Sequence, residues 1–249
     1  MSFISLNFVV LFACTFILYH TLPSRFRKAT LLTASCLFIG FYHLAFLITA
    51  LILTLTTFYL GKWIGQAKRE SGMKGIYFSG VCFLVVSWLA FRYADRLTNC
   101  HILFPLGISF YTFQAISYLT EIYWQEEEPE KSLPDFMIYM LFFMKFLSGP
   151  IERAGDMLPQ LKSCKATDYT SMVYGMRLIV VGLIKKLILA DSIAPYIDGV
   201  FGSVYTASGV QLLMACLLYP IELYADFSGY TDIALGGARM LGFKLSPNF

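Results

Sequence analysis

The sequence predicts an all-α, polytopic transmembrane protein, and two observations lead to this fold class. Of its 249 residues, 57% are hydrophobic and only 14% are charged, whereas soluble domains carry about 25% charged residues. Apolar runs long enough to cross a bilayer alternate with short clusters of basic residues. We expect a single domain over residues 1–249 with roughly seven to nine membrane segments, some of them short or re-entrant.

The charge and cysteine content exclude several classes of function. A net charge of +3 is too small to indicate a nucleic-acid partner. The six cysteines are scattered singly and form no CxxC pair, so the sequence indicates neither a metal site nor a disulfide framework. Each cysteine is typical of a small buried hydrophobic residue.

The first predicted span is Phe3–Tyr19, which is apolar apart from one asparagine. It lacks a basic n-region and a small-residue cleavage signature, which favours a retained span over a cleaved signal. The loop after this span contains Arg25, Arg27 and Lys28. By the positive-inside rule, these basic residues predict that the loop is cytoplasmic and that the N-terminus lies outside.

The next apolar region, Ala29–Gly61, lies between two basic loops that should both be cytoplasmic. It would extend about 50 Å as a helix, which is short of two full crossings. We expect two short or strongly tilted helices that break near Gly40–His43, although one long tilted helix is the simpler alternative.

Two further spans are expected in the middle of the chain. The first is Gly75–Phe91, and the second, His101–Trp124, is interrupted in its first turns by Pro105 and Gly107. The acidic segment that follows, Gln125–Lys131, is expected to be a solvated loop.

The segment Phe136–Leu147 is too short for a normal crossing and leads into a Gly-Pro break. Such a break is typical of a re-entrant or interfacial bend, which is tolerated where protein or water satisfies the backbone. We expect this bend to be formed by Gly149, Pro150, Glu152 and Arg153. The side chains of Glu152 and Arg153 are expected to pair with each other.

Thr170–Ala190 is predicted as a further span, in which Lys185 and Lys186 lie near the end and can snorkel to the interface. Asp191–Tyr205 is expected to be a loop or a short amphipathic segment. Gly209 then opens the last helix.

The most informative stretch is Tyr219–Phe249, because it places ionisable side chains beside an apolar run. Each such side chain at bilayer depth costs about 2.5–3.5 kcal/mol, so a functional site is the default interpretation. On a continuous helix, Glu222, Asp226 and Tyr230 would share one face. A buried polar network that only locks helices together remains an alternative. The ionisable residues are Glu222, Asp226, Asp232 and Arg239.

Two further features of this stretch concern helix packing. Pro220 would kink or break the helix just before the acidic residues. Gly229, Gly236 and Gly237 leave room for another helix backbone to approach closely.

At this point the sequence resembles the bacterial membrane-bound O-acyltransferases, and within them the alginate O-acetyltransferase type. The resemblance covers most of the chain, because the matching blocks occur in the family's order. These blocks are Phe104–Tyr118, Ser148–Leu161, Lys185–Asp191 and Asp226–Asp232, with Met240–Phe243 and Pro247–Phe249 after them.

The resemblance implies a multi-pass protein of the bacterial inner (plasma) membrane that transfers an acyl group to a hydroxyl of a cell-surface or exported polysaccharide. It implies no cofactor: the acyl donor would be a thioester such as acetyl-CoA. The acyl group would be handed on through an extracytoplasmic acyltransferase partner. A histidine general base would take the proton of the acceptor hydroxyl, which contributes about 10²–10⁴-fold in rate.

In this family, Pro-Asn-Phe precedes a Trp-His-x-Ser-Leu motif whose histidine is regarded as catalytic. That motif lies beyond Phe249, and His20, His43 and His101 do not match it. We therefore expect this chain to be the N-terminal portion of such an enzyme, with no catalytic residue assigned within it.

An imidazole of this kind needs an orienting partner and a polar lining. The resemblance assigns these roles to Asp226, Tyr230 and Asp232, with Glu222 and Gln114 as secondary candidates.

Two other functions remain open. The chain could be a truncated, inactive remnant, which the nucleotide sequence after codon 249 would test. A transporter with broken helices would predict related halves, and the sequence shows no such self-similarity.

Overall fold

The computed structural model describes residues 5–67, 69–98, 105, 107–146, 149–164 and 167–248. These residues form helices and no strands. The helices are α1 (Leu6–Thr21), α2 (Ser24–Tyr42), α3 (Leu44–Gln66), α4 (Glu70–Thr98), α5 (Ile108–Tyr123), α6 (Leu133–Leu141), α7 (Ala154–Ser163), α8 (Tyr169–Leu183), a π-helix (Ile184–Ala190), α9 (Asp191–Gly202) and α10 (Gly209–Met240).

The chain is an all-α, polytopic membrane protein. Three helices of the described chain are long and apolar enough to cross a bilayer: α3, the Glu70–Tyr93 part of α4, and α10. The shorter helix α1 is also apolar. The count of seven to nine membrane segments stays a prediction.

Contacts between residues divide the chain into two compact units. The first unit contains Met1–Leu147 and Ile151–Ala166, and the second contains Ser148–Pro150 and Thr167–Phe249. The single domain over residues 1–249 stays a prediction, because contacts do not test whether either unit folds independently.

In the first unit, close helix packing is built on small residues and aromatic rings. A Cβ atom on Gly61 of α3 would lie 2.7 Å from the ring of Tyr118 in α5, so glycine allows these two helices to approach. The rings of Phe8, Phe38 and Phe143 pack together with centroid distances between 5.7 and 6.3 Å. Burial of these aromatic side chains stabilises the unit.

The predicted break near Gly40–His43 is confirmed, since α2 ends at Tyr42 and α3 begins at Leu44. His43 has an extended backbone (φ −167°, ψ 137°), and its Nδ1 accepts a hydrogen bond from the N–H of Ala45. Of the two expected alternatives, short helices are excluded, and a strong tilt stays a prediction. Both helices extend beyond the apolar region into its basic flanks, to lengths of 19 and 23 residues.

The second unit consists of two long antiparallel helical segments. In the first, α8, the π-helix and α9 follow one another directly. Of the two alternatives expected for Asp191–Tyr205, the loop is therefore wrong, because a short helix continues as far as Gly202. The second segment is α10, which is continuous through Pro220. Of the kink or break predicted at Pro220, the break is wrong, and the kink stays a prediction.

Glycines bring these two segments into contact. A Cβ on Gly182 would lie 2.6 Å from the carbonyl oxygen of Gly229, and a Cβ on Gly175 would lie 2.6 Å from that of Gly236. Because both pairs are seven residues apart, they form one seam along α8 and α10. The close backbone approach predicted for Gly229 and Gly236 is therefore confirmed.

Candidate functional site

Two lysines of the π-helix pair with carboxylates of α10. Lys185 Nζ lies 2.6 Å from Asp232 Oδ2, and Lys186 forms an ion pair with Asp226. Lys186 Nζ also lies 2.8 Å from Asp191 Oδ1, at the start of α9. These five side chains form a lysine–carboxylate cluster within the second unit.

The π-helix explains how two adjacent lysines can both contact α10. Successive residues of an α-helix are rotated by about 100°, which tends to direct neighbouring side chains apart. The i→i+5 hydrogen bonds of a π-helix widen the turn and reduce this rotation. Lys185 and Lys186 are consequently both directed towards the same partner helix.

Tyr230 and Ser228 lie beside the cluster. Lys186 Nζ lies 5.3 Å from the ring centroid of Tyr230, within the range of a cation–π interaction. Lys185 Nζ donates a hydrogen bond of 2.8 Å to the hydroxyl oxygen of Ser228. The structure therefore brings together three predicted site residues, namely Asp226, Tyr230 and Asp232.

The cluster contains two ammonium groups and three carboxylates, so it carries one excess negative charge when all are ionised. A buried or half-buried carboxylate favours a neighbouring cation or hydrogen-bond donor. The cluster is thus suited to hold a group such as an imidazolium or a hydroxyl. Among the described residues, no group of His, Cys, Asp or Glu has the geometry of a metal site.

The two secondary candidates lie elsewhere. Glu222 is half-buried on α10, one turn before Asp226, and takes part in no ion pair of the described chain. Gln114 is buried in the first unit, where its amide donates a 2.8 Å hydrogen bond to the carbonyl oxygen of Tyr139.

The predicted bend is buried but is not held as expected. Gly149 and Pro150 are buried, and Glu152 is only 1% exposed, whereas Arg153 is exposed. The hydroxyl of Tyr139 donates a 2.9 Å hydrogen bond to the carbonyl oxygen of Glu152. No ion pair between Glu152 and Arg153 occurs in the described chain, because the two side chains have different environments.

Lys145 is a buried basic residue close to this bend. Its side chain is buried, with Nζ 4.4 Å from the ring centroid of Tyr139. The carboxylate of Glu152 interacts electrostatically with this ammonium group. In the sequence, Lys145 lies within the short apolar segment Phe136–Leu147. A lysine in such a segment indicates that an acidic side chain lies nearby.

The interpretation of Lys185 and Lys186 as snorkelling residues also missed their partners. Both lysines lie in ion pairs with side chains between 16 and 44% exposed. The signal in the sequence was the presence of two lysines and three carboxylates in or beside apolar segments, since such charges tend to pair.

Comparisons with known proteins identify relatives along the chain. It is 33% identical to the probable alginate O-acetylase of Azotobacter vinelandii, over 100% of this chain and 53% of that protein. It is 28% identical to the peptidoglycan O-acetyltransferase of Helicobacter pylori, over 90% of this chain and 50% of that protein.

A teichoic acid D-alanyltransferase of Bacillus subtilis is 27% identical over 58% of this chain and 37% of its own length. No protein-family model matches the sequence. The chain spans about half the length of the curated relatives that it matches along its whole length.

Proposed function

Because the chain belongs to the family of membrane-bound O-acyltransferases, we propose that it forms part of an enzyme that O-acetylates a cell-surface or exported polysaccharide. The lysine–carboxylate cluster is the observation that supports a chemical role for this part. Two of its carboxylates, Asp226 and Asp232, lie on α10, a helix long and apolar enough to cross the bilayer, where unpaired charges are costly.

The reaction is the transfer of an acyl group from a thioester to a hydroxyl. The hydroxyl oxygen attacks the acyl carbon, a C–O bond forms and the C–S bond breaks. A base takes the hydroxyl proton, and the thiolate leaves and is then protonated. Proton removal by a positioned imidazole contributes about 10²–10⁴-fold in rate.

The residues of this chain prepare the surroundings of that base. Asp226 and Asp232 are held by lysines of the π-helix, so their carboxylates have fixed positions. Asp226 orients the imidazole and stabilises its protonated form, and the Tyr230 hydroxyl lines the acceptor site. The imidazole would come from a Trp-His-x-Ser-Leu motif, which none of His20, His43 and His101 matches.

The donor and the partners follow from the same chemistry. The acyl donor is a thioester such as acetyl-CoA, and the reaction needs no further cofactor. The acceptor is a polysaccharide hydroxyl, reached through an extracytoplasmic acyltransferase partner. The protein lies in the inner (plasma) membrane with its N-terminus outside, in keeping with the basic residues Arg25, Arg27 and Lys28.

Acetyl transfer by isolated membranes tests this function. Membranes containing residues 1–249 alone are compared with membranes in which the chain is extended by a Trp-His-x-Ser-Leu region. Labelled acetyl-CoA and a polysaccharide acceptor are added, and acetyl ester is measured. Transfer by the extended chain alone supports the proposal. An extended chain that inserts in the membrane and transfers nothing contradicts it.

A further inference from the structure

An apolar groove of about 330 Å³ runs between α1 and α2 in the first unit. Leu11 and Leu37 lie at one end of the groove, and Leu22 and Phe26 lie near the turn between the helices. From Phe26 to Leu37 the groove follows α2 for about 16 Å at 1.5 Å per residue. This length matches one leaflet of a hydrocarbon core that is roughly 30 Å thick.

The walls of the groove are apolar even where threonines line it. Thr15 Oγ1 donates a hydrogen bond of 2.7 Å to the carbonyl oxygen of Leu11, and Thr30 Oγ1 donates one of 3.0 Å to that of Phe26. Because these hydroxyls bond within their own helices, the groove presents mainly hydrocarbon.

The volume of the groove favours an occupant that is narrower than a helix. A helix with its side chains is about 10–12 Å across, so a 16 Å length of it fills roughly 1,000 Å³ or more. The groove has about a third of that volume. A single acyl chain is the membrane component that is both narrow and apolar.

A cationic side chain lies at the end of the groove near the turn. The guanidinium of Arg25 lies 4.7 Å from the ring centroid of Phe26, which lines the groove. Its two basic neighbours are engaged: Arg27 donates to the carbonyl oxygen of Cys164, and Lys28 pairs with Asp135. Arg25 is exposed and has no ion pair or hydrogen bond in the described chain.

The start of α2 adds to this positive charge. Its first turn contains no acidic residue, and Pro23 provides no side-chain cap. The positive-inside rule places this basic turn at the cytoplasmic surface, where the bilayer contains anionic lipids. A ligand with one narrow apolar chain and an anionic head group therefore fits both the groove and its basic end.

We infer that the groove between α1 and α2 binds one acyl chain of an anionic phospholipid, whose phosphate pairs with Arg25. The site is independent of the proposed acyl transfer. It uses only residues of the first unit, outside the lysine–carboxylate cluster.

Lipid binding to the purified chain tests this inference. Residues 1–249 in detergent are titrated with phosphatidylglycerol and with phosphatidylcholine of the same acyl composition. Bound lipid is counted by native mass spectrometry, with thermal unfolding as a second readout. One basic residue at an anionic lipid surface corresponds to about a fivefold preference, so phosphatidylglycerol should bind about fivefold more tightly.

Three variants locate the site. Arg25→Gln should remove the preference, and Thr33→Phe should reduce the binding of both lipids, because Thr33 is an exposed residue of the groove wall. Arg69→Gln removes one exposed charge from another basic segment and should leave binding unchanged. Equal binding of the two lipids would overturn the inference, as would an equal loss in Arg69→Gln or full binding by Thr33→Phe.

Discussion

Lys185 Nζ lies 2.6 Å from Asp232 Oδ2, and this contact joins the π-helix to α10 in the middle of an apolar unit. The two side chains are 28% and 16% exposed, so the pair is partly removed from solvent. Breaking such a pair leaves one charge without its partner, which costs more than the pair itself contributes.

A double-mutant cycle measures this coupling. Lys185→Met and Asp232→Asn should each lower the free energy of unfolding by about 2 kcal/mol, below the full buried-pair value because of the residual exposure. The loss in free energy of unfolding in the double variant should be about 1 kcal/mol smaller than the sum of the losses in the two single variants. Chemical unfolding in detergent provides the measurement.

An exposed pair serves as the control for this cycle. Lys131 Nζ lies 3.9 Å from Glu128 Oε2, with both side chains 88% exposed. Lys131→Met and Glu128→Gln should change stability by less than about 0.5 kcal/mol. Purely additive effects of Lys185→Met and Asp232→Asn would contradict the role of the pair.

The glycine seam predicts a second destabilising change. A Cβ on Gly182 would meet the carbonyl oxygen of Gly229 at 2.6 Å and Ile233 Cγ1 at 2.8 Å. Gly182→Ala should therefore separate α8 from α10 and destabilise the chain by about 1–3 kcal/mol, measured by thermal unfolding. Gly199→Ala is the matched control, because no atom lies within 4 Å of its Cβ position. Equal stabilities of the two variants would refute the seam.

The buried bend predicts unequal effects at two neighbouring positions. Glu152→Gln changes a side chain that is only 1% exposed, so it should cost about 1–3 kcal/mol. Arg153→Gln changes an exposed residue and should cost less than about 0.5 kcal/mol. The measurement is the midpoint of chemical unfolding. Similar losses in both variants would indicate that the two residues act as a pair after all.

A buried carboxylate of the acidic loop predicts a dependence of stability on pH. Glu130 is 4% exposed and accepts hydrogen bonds from the N–H groups of Lys131 and Ser132, and from Lys162 Nζ at 2.8 Å. Burial alone would raise the pKa of Glu130, but these bonds lower its pKa below the ordinary value. The loop had been expected to be solvated throughout.

Because the folded pKa of Glu130 is lowered, its stabilisation is complete above the ordinary carboxyl pKa and is lost as the pH falls through the folded value. Glu130→Gln should cost about 1.5–3 kcal/mol at pH 7, and the difference from the unchanged chain should shrink below about pH 4. Thermal unfolding at both pH values tests this. Glu128→Gln, at an exposed position, should have no such effect, and a pH-independent loss in Glu130→Gln would contradict the assignment.

The sequence allowed the fold class and several elements to be predicted. The break at His43 followed from two basic loops that required an even number of crossings, and the start of α10 followed from Gly209 and the apolar run after it. The lengths of α2 and α3 could not be predicted, because apolar runs do not show how far a helix continues into a charged flank.

The partners within the site were harder to predict than its residues. The spacing along α10 placed Glu222, Asp226 and Tyr230 on one face, but nothing in that spacing identified Lys186 as the cation opposite. The π-helix directs both lysines to α10. It depends on a backbone hydrogen-bond shift that has no known signature in a single sequence.

The role of Asp226 is tested most directly by acetyl transfer from membranes that contain the chain extended by the Trp-His-x-Ser-Leu region. Asp226→Asn and Tyr230→Phe should abolish transfer and leave the amount of protein in the membrane unchanged. Asp198→Asn, at an exposed position of α9, should transfer normally. Normal acetylation by Asp226→Asn would contradict the proposed site.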